Sequence, residues 1–151
     1  MGTILLKTRA NLNAYLHKHL PVILCQQSKD DLAFLQNAGY ELYSFNEPFA
    51  SALLQFPPSQ RLDKAYQTAV SCFPDADSLI LSNYEMLFDP RYQIDPIRFF
   101  IEIARSKYLV ILWCGDLKGE TLTYAEPGHP DYKQYRVSSN DLICLRPGGA
   151  S

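Results

Sequence analysis

The sequence predicts an α/β fold with three layers, in which helices cover both faces of one mainly parallel sheet. The strand-like runs are short and apolar throughout, which is typical of strands in a covered parallel sheet. Helical segments or long loops separate them, as the crossover connections between parallel strands require. The length of 151 residues suits one domain. We therefore expect a five-stranded sheet in a single domain over residues 1–146, followed by a flexible tail at 147–151.

The composition excludes several classes of protein. Hydrophobic residues make up 47% of the chain and charged residues 20%, so the chain is not disordered or fibrous. The net charge of −2 excludes a strongly basic nucleic-acid-binding protein. No apolar run approaches about 18 residues, and the N-terminus lacks the compact apolar stretch of a signal peptide. We expect no membrane span and a cytoplasmic location.

The first third of the chain predicts a helix, a strand and a second helix. Residues 3–20 are expected to be helical, because leucines recur on or near one face, and Pro21 ends the helix. The apolar run 21–25 predicts a strand buried on both faces. Residues 31–40 then predict a helix with Gly39 as its C-terminal cap.

The middle of the chain continues this alternation. Residues 41–46 alternate in polarity and predict the second strand. After a turn at Pro57 and Pro58, residues 59–73 predict a helix with Ser59 as its N-cap. The apolar run 78–82 predicts a third strand, again buried on both faces.

The last third predicts one more helix and two strands. Asp95 and Pro96 are expected to be the N-cap and first position of a helix. Residues 108–114 form the strongest strand pattern, and residues 141–145 predict the last strand. A loop rich in Tyr, Pro and Gly is expected between them, over residues 115–136.

The four cysteines do not indicate a metal site. They form no C-x-x-C motif, and none lies beside a histidine at zinc-ligand spacing. We expect small buried thiols in a reducing compartment. The four residues are Cys25, Cys72, Cys114 and Cys144.

The turn after the strand at 21–25 is where an open α/β sheet usually binds a ligand, but its residues do not suit a phosphate. A phosphate-binding loop needs glycines that let backbone N–H groups surround the phosphates, followed by Lys and then Ser or Thr. This chain reads CQQSKDDLAFL, with no glycine between Gly2 and Gly39. Lys29 precedes two carboxylates, which suit a helix N-terminus and repel a triphosphate. The turn therefore predicts a well-capped helix start and no anion site.

A second part of a nucleotide site is also absent from the sequence. Nucleotide hydrolysis needs an acid at the end of a neighbouring strand, which holds magnesium. Ser82 follows the apolar run at that place, and Glu85 comes only three residues later. A neutral serine is a weaker magnesium ligand than a carboxylate.

Two stretches of the C-terminal half carry a family resemblance: LILSNYEMLFDPRYQIDPIRFF and LVILWCGDLKGETLTYAEPGHPDYKQY. Their motifs are E-x-L-F-D-P, a helix that opens on D-P, a strand that ends in Trp, and L-T-Y-A-E-P-G-H-P-x-Y. These motifs fall on Glu85, Leu87, Phe88, Asp89 and Pro90; on Asp95 and Pro96; on Trp113; and on residues 122–132. In them the chain resembles the BrxF-like small P-loop proteins of type 3 BREX phage-defence systems.

The resemblance implies a degenerate P-loop-NTPase-like fold and a place in a bacterial antiviral defence system. The family carries a glycine-rich phosphate loop where this chain has residues 26–31, and an Asp where it has Ser82. The remnants of the nucleotide site are expected to be inactive: Gln26, Gln27, Ser28, Lys29, Ser82 and Asn83. We expect a pseudo-NTPase with no catalytic residue, metal or cofactor, which acts through protein–protein contacts. Its expected partners are other defence proteins, such as a large ATPase, or a second copy of the chain.

Two other functions stay open. The protein could bind and hydrolyse ATP at an atypical site, with Lys29 and Glu85 in altered roles. It could also be a nucleic-acid-binding accessory module, because the first 29 residues contain basic side chains and no acid. An ordinary solvated helix face explains the same basic residues, which are Lys7, Arg9, Lys18 and Lys29.

The loop at 124–135 collects several polar side chains. Glu126, His129, Asp131 and Tyr132 could form a metal or acid/base site or a partner-binding surface. Prolines and a glycine in the same stretch favour a turn with a purely structural role. All three interpretations are retained for this loop.

Overall fold

The computed structural model describes residues 2–125 and 128–147. Within these ranges, a six-stranded sheet is accompanied by a three-stranded sheet. The larger sheet contains β1 (Thr3–Leu6), β2 (Val22–Leu24), β3 (Glu41–Ser44), β4 (Ser78–Ser82), β5 (Tyr108–Leu112) and β9 (Ile143–Arg146). The smaller sheet contains β6 (Asp116–Lys118), β7 (Thr121–Tyr124) and β8 (Lys133–Arg136).

Five α-helices connect these strands: α1 (Arg9–Ala14), α2 (Lys29–Asn37), α3 (Asn46–Leu53), α4 (Ala65–Ser71) and α5 (Pro96–Ala104). Short 3-10 helices lie at Pro58–Gln60, Glu85–Phe88, Pro90–Tyr92 and Val137–Ser139. The larger sheet has the order β1-β9-β2-β5-β4-β3, and every pairing in it is parallel.

Helices cover both faces of the larger sheet, as the predicted three-layered α/β class requires. On one face, Leu12 of α1 and Leu35 of α2 pack on Leu24 and Val110. The other face carries α3, α4 and α5, together with Leu122 of the smaller sheet. Because alternate residues of a strand point to opposite faces, two apolar layers need strands that are apolar throughout.

The strand predictions for the larger sheet are confirmed, and so are two helix starts or ends. β2, β3, β4 and β5 lie within their predicted ranges, and β9 overlaps the predicted last strand. Asp95 caps α5 by accepting hydrogen bonds from the N–H groups of Ile97 and Arg98, with Pro96 at the first position. Gly39 has a φ of +99° just after α2, a conformation that a glycine adopts without strain.

The predicted helix over residues 3–20 is wrong. Residues 3–6 form the edge strand β1, which pairs in register with β9, and only Arg9–Ala14 are α-helical. Thr8 caps this short helix, because its side chain accepts a hydrogen bond from the Asn11 N–H. Pairing with a strand more than 130 residues away outweighed the local leucine pattern. The larger sheet therefore has six strands where five were predicted.

The region before β4 also differs from its prediction. The helix expected at 59–73 begins only at Ala65, and Ser59 lies in the 3-10 turn Pro58–Gln60 without capping it. Helix α3 was not predicted. It contains Pro48, which lies in the first turn, where proline is tolerated.

The predicted loop at 115–136 contains the smaller sheet. β6 and β7 form a hairpin at Gly119, which has a φ of +62°, and β7 pairs antiparallel with β8. Tyr124 stacks on Phe88 with ring centroids 3.9 Å apart, so this part of the chain packs on the core. Residues 148–151 of the predicted tail lie outside the described residues.

Chain connections diverge at the carboxyl end of the larger sheet, between β2 and β5. β2 leads into α2 on one face, whereas β5 leads into the smaller sheet on the opposite face. Open α/β sheets bind their ligands in the crevice at such a switch point. The turn after β2 is therefore the first place to search for a functional site.

Candidate functional site

The turn after β2 is occupied by a lysine from the neighbouring edge of the sheet. Lys7 directly follows β1, and its Nζ donates a hydrogen bond to the Gln26 carbonyl at 2.7 Å. The same Nζ lies 2.8 Å from Asp31 Oδ2, and the two side chains are only 16% and 12% exposed. Gln26 itself has a φ of +53°, in the left-handed region. A carbonyl group of this turn therefore faces an internal cation.

The start of α2 is closed by a capping box. The Ser28 Oγ accepts a hydrogen bond from the Asp31 N–H at 3.2 Å, and Asp31 Oδ2 accepts one from the Ser28 N–H at 2.9 Å. The predicted well-capped helix start is confirmed. The Asp31 carboxylate thus binds both a backbone N–H and the Lys7 ammonium, which are the kinds of group that a phosphate oxygen would seek.

The surroundings of Asp31 favour its charged form. Burial raises the pKa of the Asp31 carboxyl, but the hydrogen bonds from Lys7 and Ser28 and the charge of Lys7 lower it by more. The net effect is a pKa below the ordinary value of an aspartate. The carboxylate is therefore ionised at neutral pH and forms a stable ion pair with Lys7.

Ser82 and Asn83, the other two residues expected to be remnants of a nucleotide site, form hydrogen bonds to β3. The Ser82 Oγ donates a hydrogen bond to the Tyr43 carbonyl at 3.3 Å, and Asn83 Nδ2 donates one to the Ser44 Oγ at 2.9 Å. Asn83 also has a positive φ of 49°. In the sheet order, β5 separates β4 from β2. The side-chain hydrogen bonds of Ser82 and Asn83 thus point away from the turn that holds Gln26, Gln27, Ser28 and Lys29.

Glu85, the acid considered for an altered catalytic role, is held by helix α3. Asn46 Nδ2 donates a hydrogen bond to Glu85 Oε1 at 3.1 Å, and Asn46 Oδ1 accepts one from the Met86 N–H at 3.0 Å. This paired arrangement fixes the 3-10 helix Glu85–Phe88 against the start of α3. The hydrogen bond to Asn46 therefore gives Glu85 a structural role in holding this 3-10 helix.

The end of β4 is joined to the end of β5 by a buried tyrosine. Tyr84 is 1% exposed, and its hydroxyl donates a hydrogen bond to the Leu112 carbonyl at 2.7 Å. It also accepts one from the Cys114 N–H at 3.1 Å. Burial raises the pKa of Tyr84 well above its ordinary value, so the hydroxyl remains a donor.

The polar loop after β7 makes local hydrogen bonds. His129 Nδ1 accepts a hydrogen bond from the Asp131 N–H at 3.0 Å, and the His129 carbonyl accepts one from the Tyr132 N–H. The Tyr132 hydroxyl accepts one from Gln134 at 2.7 Å. Glu126 lies outside the described residues. These contacts are those of a hydrogen-bonded turn.

The cysteine prediction is partly confirmed. Cys25 and Cys144 are buried, with their sulfur atoms 3.8 Å apart, and Cys72 is half-buried. Cys114 is exposed, because it lies beyond the carboxyl end of β5. Across residues 2–125 and 128–147, no group of three His, Cys, Asp or Glu side chains could hold a metal ion.

The N-terminal basic residues do not form one free patch. Lys7 is bound to Asp31 and Gln26, and the Arg9 guanidinium lies 4.5 Å from the centre of the Phe34 ring. Two of the four cations considered for nucleic-acid contact are thus engaged within the chain.

Sequence reasoning missed a small polar cleft at the switch point. A cavity of about 280 Å³ is lined by Cys25 and Gln26 beside β2, Asp116 of β6 and Arg146 at the end of β9. Gly115 also lines it, and a Cβ there would lie 1.8 Å from the Thr123 carbonyl oxygen. The close approach of the chain before β6 to β7 depends on this glycine. Gly115 was the only feature of the local sequence that could have indicated the cleft.

In comparisons with known proteins, no family model matches the chain, and no curated protein or solved structure is significantly similar to it. Among the described residues, no helix has both the length and the apolar character needed to cross a membrane.

Proposed function

We propose that the protein is a non-catalytic component of a bacterial antiviral defence system with a degenerate P-loop-NTPase-like fold. In this role it acts through protein–protein contacts and not through nucleotide hydrolysis. The parallel sheet, its switch point beside β2 and the helix that follows β2 support the fold assignment. The resemblance in residues 78–135 supports the place in defence.

The observation that carries the non-catalytic assignment is the Asp31 carboxylate in the turn after β2. It receives the Ser28 N–H and the Lys7 ammonium, two donors that a phosphate would need. A triphosphate at this turn would meet the buried Asp31 carboxylate and, next to it, the exposed Asp30 carboxylate. Ser82 adds no carboxylate that could hold magnesium.

The proposal is tested by phage plating on a host that carries the genomic locus encoding this chain. Deletion of the chain is expected to restore plaque formation by phages that the intact locus excludes. Wild type and Lys29→Ala are expected to restore exclusion equally, because the exposed Lys29 is the cation that an active nucleotide site would use.

Two results would overturn the proposal. A locus that excludes the same phages with and without the chain would remove the defence role. A Lys29→Ala protein that folds, accumulates and fails to complement would show that the nucleotide turn is used. Asp30→Asn is the matched control for Lys29→Ala, because it changes the charge of the neighbouring exposed residue; it should restore exclusion as wild type does.

A further inference from the structure

A second cavity, which shares no lining residue with the polar cleft, lies between the end of α3 and the segment that leads into α4. It has a volume of about 440 Å³ and is lined mainly by apolar side chains. Leu53 and Met86 contribute to its wall, and Tyr92 borders it from the 3-10 helix Pro90–Tyr92. This volume is in the range of clefts that bind ligands or side chains of a partner. We call it the α3–α4 groove.

Exposed apolar side chains are concentrated in the segment that lines this groove, through Leu54 and Leu62, and in the helix α4 that follows it. Four of the seven exposed large hydrophobic residues in the described chain lie between positions 54 and 70: Leu54, Leu62, Tyr66 and Val70. Tyr66 and Val70 are four residues apart on α4, whereas Leu62 lies in the turn before that helix. Residues four apart lie on the same side of a helix. Tyr66 and Val70 therefore place two apolar side chains on the outer side of α4, whose inner side packs on the core through Ala65 and Ala69.

The charges at the rim of the groove are both positive. Arg61 and Arg91 line it, and no carboxylate does so. Arg61 donates through Nε to the Phe56 carbonyl at 3.0 Å, and among the described residues it has no ion-pair partner. Arg91 pairs with Asp89, but its side chain remains 71% exposed.

The positive charges at the rim indicate which kind of molecule could bind in the groove. A two-fold dimer formed through this surface would bring identical basic rims together, which opposes association. An apolar segment with carboxylates at its flanks would instead match both the floor and the rim. Amphipathic helices bind such grooves through apolar side chains spaced three to four residues apart.

We propose that the α3–α4 groove docks an amphipathic helix of another protein, with leucine-sized side chains on one face and carboxylates beside them. This inference rests on the proposed function, because docking is how a non-catalytic component would act. Leu54 and Leu62 would contact the apolar face of the helix, and Arg61 would bind a carboxylate.

The test uses a fluorescein-labelled, hydrocarbon-stapled peptide of about four helical turns as the probe. It carries Leu on one face and Glu beside that face, and binding is followed by fluorescence anisotropy. We expect saturable binding in the micromolar range and an affinity about tenfold lower for the same peptide with Lys in place of Glu. Leu62→Ser and Arg61→Gln should each weaken binding of the Glu peptide about tenfold.

Leu42→Ser is the matched control, because Leu42 is a half-exposed leucine on β3 and should leave the affinity unchanged. Circular dichroism and urea denaturation establish that each variant folds. No saturable binding, or equal affinity for the Lys and Glu peptides, would overturn the inference.

Two further outcomes would also overturn it by identifying a different occupant. One is dimerisation of the chain alone that Leu62→Ser abolishes, seen by analytical ultracentrifugation. The other is binding to phosphatidylcholine/phosphatidylglycerol vesicles that depends on Leu62 when neither peptide binds. If the peptide assay fails while Lys29→Ala still restores phage exclusion, the inference falls and the proposed function stands.

Discussion

At the scale of single residues, Asp31 joins three parts of the structure. Its carboxylate binds the Ser28 N–H at the start of α2 and the Lys7 ammonium beyond β1, and Lys7 in turn binds the Gln26 carbonyl. Removal of the charge would leave the mostly buried ammonium without its anion. Hydrogen bonds that involve a charged group contribute about 1.5–3 kcal/mol each.

Asp31→Asn should therefore lower the free energy of unfolding at pH 7 by about 1–3 kcal/mol, as measured by urea denaturation. The pKa of Asp31 is lower in the folded protein than in the unfolded chain, so its contribution is complete above the unfolded value of about 3.9. The difference between wild type and variant should shrink as the pH falls through that value towards the folded-state pKa.

Asp30→Asn is the control, because Asp30 is exposed and next to Asp31. Its loss should cost no more than the helix-dipole contribution of about 0.3–1 kcal/mol. An Asp31→Asn effect no larger than that of Asp30→Asn would contradict the role of the ion pair.

Tyr84→Phe should destabilise the protein by about 1–3 kcal/mol, because it leaves the Leu112 carbonyl and the Cys114 N–H without their partner. Tyr66→Phe is the comparison, since the Tyr66 hydroxyl is exposed and makes one long hydrogen bond to Glu102. Thermal and urea unfolding of both variants measure the difference. Equal stability of the two variants would show that the buried hydroxyl contributes nothing.

At the scale of elements, the sequence predicted those helices and strands whose formation depends on neighbouring residues in the chain. Apolar runs predicted β2 and β5, and the Asp95-Pro96 pair predicted the first residue of α5. β1 was missed, because its pairing with β9 is non-local and its residues also fit a helical pattern. The smaller sheet was missed, because its strands are three or four residues long in a segment rich in turn residues.

The cap of α5 gives a prediction at this scale. Asp95→Ala should lower the free energy of unfolding by about 1 kcal/mol, because the N–H groups of Ile97 and Arg98 lose their acceptor. Asp95→Asn keeps a side-chain oxygen at the cap and should restore most of that loss. If Asp95→Asn were as unstable as Asp95→Ala in urea denaturation, capping would not be the cause.

At the scale of the whole molecule, the candidate site combines segments that are far apart in the sequence. The capped start of α2 was predictable, because Ser28 and Asp31 are three residues apart. The contribution of Lys7 was not, because it depends on β1 lying at the edge of the sheet. The polar cleft was missed for the same reason, since Gln26, Asp116 and Arg146 meet only in the folded chain.

Calorimetric titration of the purified chain with Mg·ATP tests directly whether the turn after β2 is closed to nucleotide. We predict no saturable heat up to about 1 mM nucleotide, because Asp31 already occupies the donors of that turn. Saturable binding with a micromolar dissociation constant, lost in Lys29→Ala, would contradict this prediction.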